Sequence, residues 1–240
     1  MSGKYELGYW DIKGLAAPIR MALYYANRNG EFPFIDKTYT LTANGQGGWN
    51  NDWAPTYKSM AESQHAFPNL PYLTLPDGSL TLVQSSAILR YIGRVAKLEG
   101  DTETERSRCD EAIEQFADFR KEIVDASYGR LGNYEKALND ILLAGTFPFA
   151  LKGLANQLAR TGGVYIAGPN ITVADFYVYD VVVLIDKHSK GSLLLPQYPT
   201  IAEYKARIEA LPGLAQYFAA PCAKFAHNNK MAVWGGKPDE

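Results

Sequence analysis

Residues 67–92 read Phe67-Pro68-Asn69-Leu70-Pro71-Tyr72-Leu73-Thr74-Leu75-Pro76-Asp77-Gly78-Ser79-Leu80-Thr81-Leu82-Val83-Gln84-Ser85-Ser86-Ala87-Ile88-Leu89-Arg90-Tyr91-Ile92. Tyr72–Leu75 and Leu80–Val83 are short runs of strand-forming residues, and Pro76-Asp77-Gly78 supplies the turn between them, so the two predict a hairpin. Gln84-Ser85-Ser86 then caps a helix through Ile88, Leu89, Tyr91 and Ile92. Upstream, Leu7-Gly8-Tyr9-Trp10 predicts a strand that breaks at Asp11-Ile12-Lys13-Gly14. A helix follows from about Pro18, whose missing N–H is tolerated in a first turn. Phe32-Pro33-Phe34-Ile35 to Tyr39-Thr40 predicts a second strand, parallel to the first because a crossover helix joins them. The order is βαβ followed by ββα.

Between these halves, Thr42 to Trp53 carries Gly45, Gly47, Gly48, Asn44, Asn50 and Asn51, a composition that punctuates structure, and is read as a long loop. Beyond residue 100 the pattern changes. Gly100-Asp101-Thr102 reads as a linker, after which Cys109, Ala112, Phe116, Phe119, Ile123 and Ala126 recur at helical steps. Further helices are expected around 134–143, 149–160 and 201–210. From Val173 to Ile185 the chain is apolar almost all round, the pattern of a helix buried on most sides. Thr172-Val173-Ala174-Asp175 opens that helix with a capping box. The fold class is therefore an α/β N-terminal domain, residues 1–95, an all-α C-terminal domain, residues 103–222, and a tail, residues 223–240.

Composition narrows the function. A chain of 240 residues accommodates two ordinary domains and buries a core without disulfides or metal. Lys and Arg number 24 against 26 Asp and Glu, scattered rather than run together, which argues against nucleic acid. Charged residues interrupt every apolar run, so no membrane span is expected. Cys109 and Cys222 make neither a disulfide framework nor a paired metal spacing. With no apolar leader in MSGKYELGYWD, the reading is a cytoplasmic protein.

Three features of the first domain converge on one kind of ligand. Tyr9 closes a strand at the carboxyl edge of the sheet, where open α/β sheets bind ligands. Its hydroxyl could donate to a thiolate and lower the thiol's pKa without itself ionising; alternatively it is one more core tyrosine. Gln84-Ser85 stands at a helix N-terminus, which can hold a carboxylate or simply be capped. Asn69-Leu70-Pro71 enters the hairpin through a proline, consistent with an edge strand or with a cis bond that turns the backbone outward.

In combination and order these segments resemble the cytosolic glutathione transferases, most closely a mu-like class. The resemblance is carried by Leu7-Gly8-Tyr9-Trp10-Asp11-Ile12-Lys13-Gly14-Leu15, Phe67-Pro68-Asn69-Leu70-Pro71-Tyr72-Leu73, Gln84-Ser85-Ser86-Ala87-Ile88-Leu89-Arg90-Tyr91-Ile92, Ile171-Thr172-Val173-Ala174-Asp175-Phe176 through Tyr179-Asp180, and the tail Lys230-Met231-Ala232-Val233-Trp234-Gly235. It implies a thioredoxin-like domain followed by a helical one, and an enzyme that conjugates the thiol of reduced glutathione to hydrophobic electrophiles in detoxification. Glutathione is then a co-substrate, with no resident cofactor or metal. By position the resemblance makes Tyr9 the hydroxyl on the sulfur, with Trp10 and Leu15 beside it. Asn69, Leu70 and Pro71 pair with the cysteinyl backbone, Leu70-Pro71 being the cis bond, and Gln84 and Ser85 hold the γ-glutamyl end. Asp118 reaches that end from the partner of a homodimer, Tyr128 assists with the electrophile, and Phe67 is an aromatic key in the dimer contact.

Asp118 and Tyr128 stand ten residues apart, so at roughly 100° per residue they lie about 80° apart around a helix and can face different sites. Between residues 42 and 66 the chain is longer than the mu pattern and lacks its arginine. Of Trp49, Trp53 and Lys58, the pair Trp53 and Lys58 is assigned to the glycine carboxylate. The chain is longer again between Lys136 and Gly163. Two other functions share these motifs: a glutathione-dependent isomerase, in which the thiolate adds and leaves again, and a non-catalytic carrier of apolar ligands.

Overall fold

The computed structural model describes residues 3–63, 65–193 and 197–238. Strand β1 (Tyr5–Trp10) is followed by a 3-10 turn at Gly14–Ala16, helix α1 (Ala17–Ala26) and strand β2 (Phe34–Tyr39). Pro18 sits in the first turn of α1, as its chemistry dictates. β1 and β2 pair in parallel, from Tyr5 opposite Phe34 to Trp10 opposite Tyr39.

The stretch read as a long loop is a hairpin instead, with β3 (Leu41–Ala43) antiparallel to β4 (Trp49–Asn51). The residues that signalled a break build its turn. Asn44 Oδ1 accepts the N–H groups of both Gln46 and Gly48 at 2.9 Å, while Gly45 and Gly47 adopt φ of 74° and 79°, a region that only glycine enters freely. Strands this short and exposed carry no apolar alternation to betray them. Helix α2 (Ala54–Glu62) follows.

Strands β5 (Tyr72–Thr74) and β6 (Thr81–Val83) form the expected hairpin, and β5 also pairs antiparallel with β1, giving the sheet order β2-β1-β5-β6. Gly8 lies opposite Tyr72, and a Cβ on Gly8 would stand 2.0 Å from the Tyr72 ring, so no larger residue fits this register. β5 is interior. Of the two readings of Pro71, the edge strand is therefore excluded, and the Leu70-Pro71 bond is cis. Helix α3 (Ser85–Val95) completes the unit.

The remainder is helical: α4 (Glu103–Ser127), α5 (Tyr134–Ala137), α6 (Phe147–Arg160), α7 (Val173–His188), α8 (Pro199–Glu209) and α9 (Leu214–Ala219). Thr102, read as linker, is the N-cap of α4 and forms a capping box with Glu105. The helix expected over 134–143 widens after Ala137 into a π-helix, Leu138–Thr146, that leads directly into α6. α7 is buried along most of its length, packed on α1, α3, α4 and α8. Its capping acid Asp175 accepts from the Thr172 N–H at 2.7 Å, the Ile166 N–H at 2.9 Å and the Tyr204 hydroxyl at 2.9 Å. One apolar core runs from β1 and α1 through α7 into α4 and α6, joining the two halves of the chain. Each fully buried aliphatic or aromatic side chain in it contributes about 1.5–3 kcal/mol.

The tail packs back on the domain junction. Ala226 forms a parallel bridge with Ile12, and Trp234 lies 3.6 Å from the ring centroid of His188 and 5.7 Å from that of His227. Burial pushes both imidazoles down to about 3 from an ordinary value near 6.5. Between those values the unfolded chain binds more protons than the folded one, so stability is lost as the pH falls below about 6.5. Each histidine should cost about 2 kcal/mol at about pH 5. Urea unfolding followed from about pH 7 to about pH 5 should show the midpoint falling; a flat profile would remove both imidazoles from this account.

Candidate active site

A cleft of about 410 Å³ opens where the carboxyl end of β1 meets the second half of α4. Tyr9, Trp10 and Leu15 line it from the sheet side, Ser85 and Ser86 from the start of α3, Arg120 and Tyr128 from α4 and its end, and Asn228 and Asn229 from the tail.

Tyr9 is only 6% exposed rather than standing open at the edge, and burial raises its pKa above the ordinary tyrosine value. The Leu15 N–H and the Arg120 charge act in the opposite direction without cancelling that rise, so the hydroxyl keeps its proton at neutral pH. Its oxygen accepts the Leu15 N–H at 3.1 Å, which leaves its own O–H free to donate into the cleft. Gly14 makes this approach possible. It has φ +40°, and a Cβ there would lie 2.7 Å from the Tyr9 hydroxyl.

The carbonyl of Gly14 and the N–H of Leu15 belong to one planar peptide, and in a trans peptide they point in opposite directions. The N–H goes to Tyr9; the carbonyl accepts from Arg120 Nη2 at 2.5 Å. Arg120 is buried and paired through Nη1 with Asp180 of α7. Burial opposes its charge, and the Asp180 carboxylate overrides that, holding the guanidinium above its ordinary pKa. A second buried arginine, Arg20, ties the preceding turn through Asp36 at 2.9 Å and the Ile12 carbonyl at 2.6 Å.

Tyr128 repeats the arrangement of Tyr9. It ends α4, and its oxygen accepts the Asn229 N–H from the tail at 2.9 Å, again leaving the O–H to face the cleft. The tail segment is itself held by Lys13 N–H to the Ala226 carbonyl, Gly14 N–H to the His227 carbonyl and Val233 N–H to the Ser127 carbonyl, at 2.8, 3.1 and 2.8 Å. Of the hydroxyls lining the cleft, those of Tyr9 and Tyr128 are each oriented by a backbone amide. Such a pair can stabilise one anion and polarise another group beside it.

Comparison with known proteins matches this geometry to a family. A family model described as the glutathione S-transferase C-terminal domain covers residues 117–221. A glutathione S-transferase of Tyrophagus putrescentiae is 36% identical, with 99% of each chain aligned. Glutathione S-transferase Mu 5 of Rattus norvegicus is also 36% identical, over 96% of this chain and 95% of its own. The chain belongs to the glutathione S-transferase family. Among solved structures, the transferase resembles the glutathione S-transferase Blo t 8, with TM-score 0.77 and 25% identity over 96% of this chain and 99% of the other. It also resembles the Pi-class enzyme of Onchocerca volvulus, with TM-score 0.73 and 28% identity over 99% and 100%. The mu-like resemblance read in the sequence agrees with these relatives.

Of the residues read from the sequence, the transferase gathers Tyr9, Trp10, Leu15, Ser85 and Tyr128 around the cleft. Gln84 is exposed beside it, the N-cap of α3 at φ 73°, with no side-chain hydrogen bond capping the helix, so the expected cap is absent. Continuing the register of Gly8 and Tyr72 brings Pro71 level with Tyr9. Asn69 Oδ1 accepts the Leu70 N–H at 2.8 Å. Asp118 is exposed and lies off the cleft of its own chain.

Trp53 and Lys58 are not at this cleft. Trp53 is packed with Tyr39, Tyr72 and Val83, stacked on Tyr72 at 5.9 Å, because the hairpin and α2 fold the segment against β2 and β5. The Lys58 side chain is 77% exposed, 3.7 Å from Glu62 one turn on. The sequence reading missed Arg20 and Arg120. Spacing alone could have found the second, since Arg120 follows Phe116 by one helical turn on the apolar face of α4.

Tyr128→Phe removes the acceptor of the Asn229 N–H as well as the donor into the cleft. It should destabilise the fold by about 1 kcal/mol and slow some electrophiles while sparing others; equal losses with every electrophile would show that Tyr128 serves the thiol or the fold instead.

Proposed function

We propose that this transferase activates the thiol of reduced glutathione and joins it to a hydrophobic electrophile, a detoxifying conjugation. The observation that carries the reading is the Tyr9 O–H, free to donate into a cleft shared with Tyr128. A thiol of ordinary pKa, about 8.5, is only a few per cent thiolate at neutral pH. A donor that hydrogen-bonds the thiolate more strongly than the thiol shifts that balance by about 1.4 kcal/mol per pKa unit. The thiol proton passes to solvent, the sulfur forms a bond to the electrophilic carbon, and any leaving group departs with its electron pair. Tyr128 polarises the electrophile.

The proposed glutathione site extends from Tyr9, Trp10 and Leu15 to Asn69, Leu70 and Pro71, whose backbone would pair with the cysteinyl unit. Gln84 and Ser85 take the γ-glutamyl carboxylate at the uncapped end of α3, where the helix dipole favours an anion. Beyond the cleft itself, Trp53 at the start of α2 and Lys58 on that helix are proposed for the glycine carboxylate. Cys109 and Cys222 are free and buried, in keeping with a reducing, cytoplasmic setting.

The proposed assembly is a homodimer. Phe67 is 72% exposed, so it does not tuck over its own sheet. A groove of about 180 Å³ between α4 and α6, lined by Phe116, Phe119, Phe149 and Leu154, offers an apolar receptor of suitable size. Exposed Asp118 stands on the same helix as the groove and would reach the partner's glutathione.

Tyr9→Phe should lower conjugation roughly ten- to hundredfold, the worth of about 1.5–3 kcal/mol for a hydrogen bond to a charged group, with little change in glutathione affinity. Full activity in the variant at neutral pH would assign the thiol to another group. Phe67→Ala should shift the protein toward monomer, since truncating a buried aromatic anchor costs about 2 kcal/mol or more and a two-fold dimer uses it twice. Sedimentation over a range of concentrations checks this, unchanged association taking Phe67 out of the interface.

A further inference from the structure

The wall of the cleft facing away from β1 is charged. On α4 and at its end, Ala117, Lys121, Val124 and Tyr128 follow one another at three- and four-residue steps with Arg120 and Asp125 beside them, and all line the cleft. Arg130, from the turn after α4, folds back onto the same wall. Lys121 Nζ lies 2.6 Å and Arg130 Nη1 2.9 Å from the two oxygens of Asp125. Hydrogen bonds from Lys121, then Arg130, hold this carboxyl below its ordinary pKa, so it is ionised at neutral pH.

The charges do not balance. Arg120, deeper in the wall, is matched by Asp180, whereas Lys121 and Arg130 share the single Asp125. Among the described residues that line the cleft, one positive charge is left over at its mouth. Lys121 and Arg130 are 76% and 62% exposed, while Asp125 is 13% exposed, so the cationic heads reach outward and the carboxylate lies behind them. The Arg130 guanidinium also stands 5.3 Å from the centroid of the Tyr128 ring, which places it next to the hydroxyl that faces the electrophile. A lysine paired with a carboxylate one turn away is commonly no more than a solvated helix face. Here two cations from different segments converge on one acid, both line a cavity, and a hydrogen-bond donor adjoins them.

We propose that the electrophile taken by this site carries a carboxylate, held between Lys121 and Arg130 while its reactive carbon meets the thiolate. The inference rests on the transferase reading above and narrows its substrate from hydrophobic electrophiles in general to anionic ones. Each exposed cation contributes about two- to fivefold in rate, and the two together about tenfold. Because these charges are solvent-facing, added salt weakens their hold.

The test compares 1-chloro-2,4-dinitrobenzene with 4-chloro-3,5-dinitrobenzoate, each as kcat/KM divided by its uncatalysed rate constant. In both, sulfur bonds to the ring carbon that bears chlorine, chloride leaves with the bonding pair, and the thiol proton goes to buffer. The anionic-to-neutral ratio should fall about tenfold in the Lys121→Met, Arg130→Met double variant and rise in Asp125→Asn. In the parent protein it should fall as salt is raised from about 0.02 M to about 0.3 M, which needs no variant to fold. A ratio insensitive to salt and to these substitutions overturns the inference alone. An equal loss with both electrophiles, accompanied by a higher KM for glutathione, assigns the cations to glutathione's own carboxylates and also overturns it. Failure of the parent to conjugate either compound overturns the transferase reading, and the anionic electrophile with it.

Discussion

One peptide plane, that between Gly14 and Leu15, is gripped from both sides, and the site depends on it. Its carbonyl meets the buried Arg120 guanidinium and its N–H meets the Tyr9 hydroxyl. Arg120 belongs to α4, its counter-ion Asp180 to α7, and Tyr9 to the first strand. The Tyr9 hydroxyl is thus set by a charge pair from the other half of the chain. Placing a guanidinium and a carboxylate out of water costs several kcal/mol per ion before their attraction is counted. The pair is better understood as fixing geometry than as adding stability. Loss of either partner would leave the other charge buried and the peptide free to turn.

The division between what could be read in the residues and what could not follows the range of the interactions. The βαβ and ββα units are governed by local periodicity and turn chemistry, so their order was legible, and Tyr9 could be placed at the end of β1. The capping box at Thr172 and Asp175 was legible for the same reason, although its further partners Ile166 and Tyr204 were not. The β3–β4 hairpin reads as loop because Leu41 is the sole buried residue of its two strands, and its Asn and Gly residues serve loops and tight turns alike. The π-helix escaped because an apolar spacing near four suits either helix type, and only tertiary packing chooses between them. The packing of Trp53 with Tyr39 and Tyr72 depends on how α2 folds back and is announced by no local spacing. The charged wall of the cleft required Arg130 to return across the end of α4, a contact that no helical periodicity encodes.

The two tyrosines solve one problem in the same way. A phenol oxygen that accepts a backbone N–H has a fixed orientation and an uncommitted proton, whatever its burial. Tyr9 draws its amide from the turn after its own strand, whereas Tyr128 draws it from a segment that crosses the domain junction. The stacking of Trp234 on His188 and on His227 anchors that segment, so the Tyr128 side of the cleft is coupled to the packing of the tail.

A chain is made from its N-terminus onward, and domains fold in that order during synthesis. By the time α4 has emerged, Tyr9, Arg120 and the peptide between them can all be present; Asn229 comes far later. The second hydroxyl has no amide to orient it, and the cleft lacks its last wall, until the tail has crossed back over Ile12 and Gly14. Orientation of the second hydroxyl therefore waits on a residue made 101 positions after Tyr128 itself.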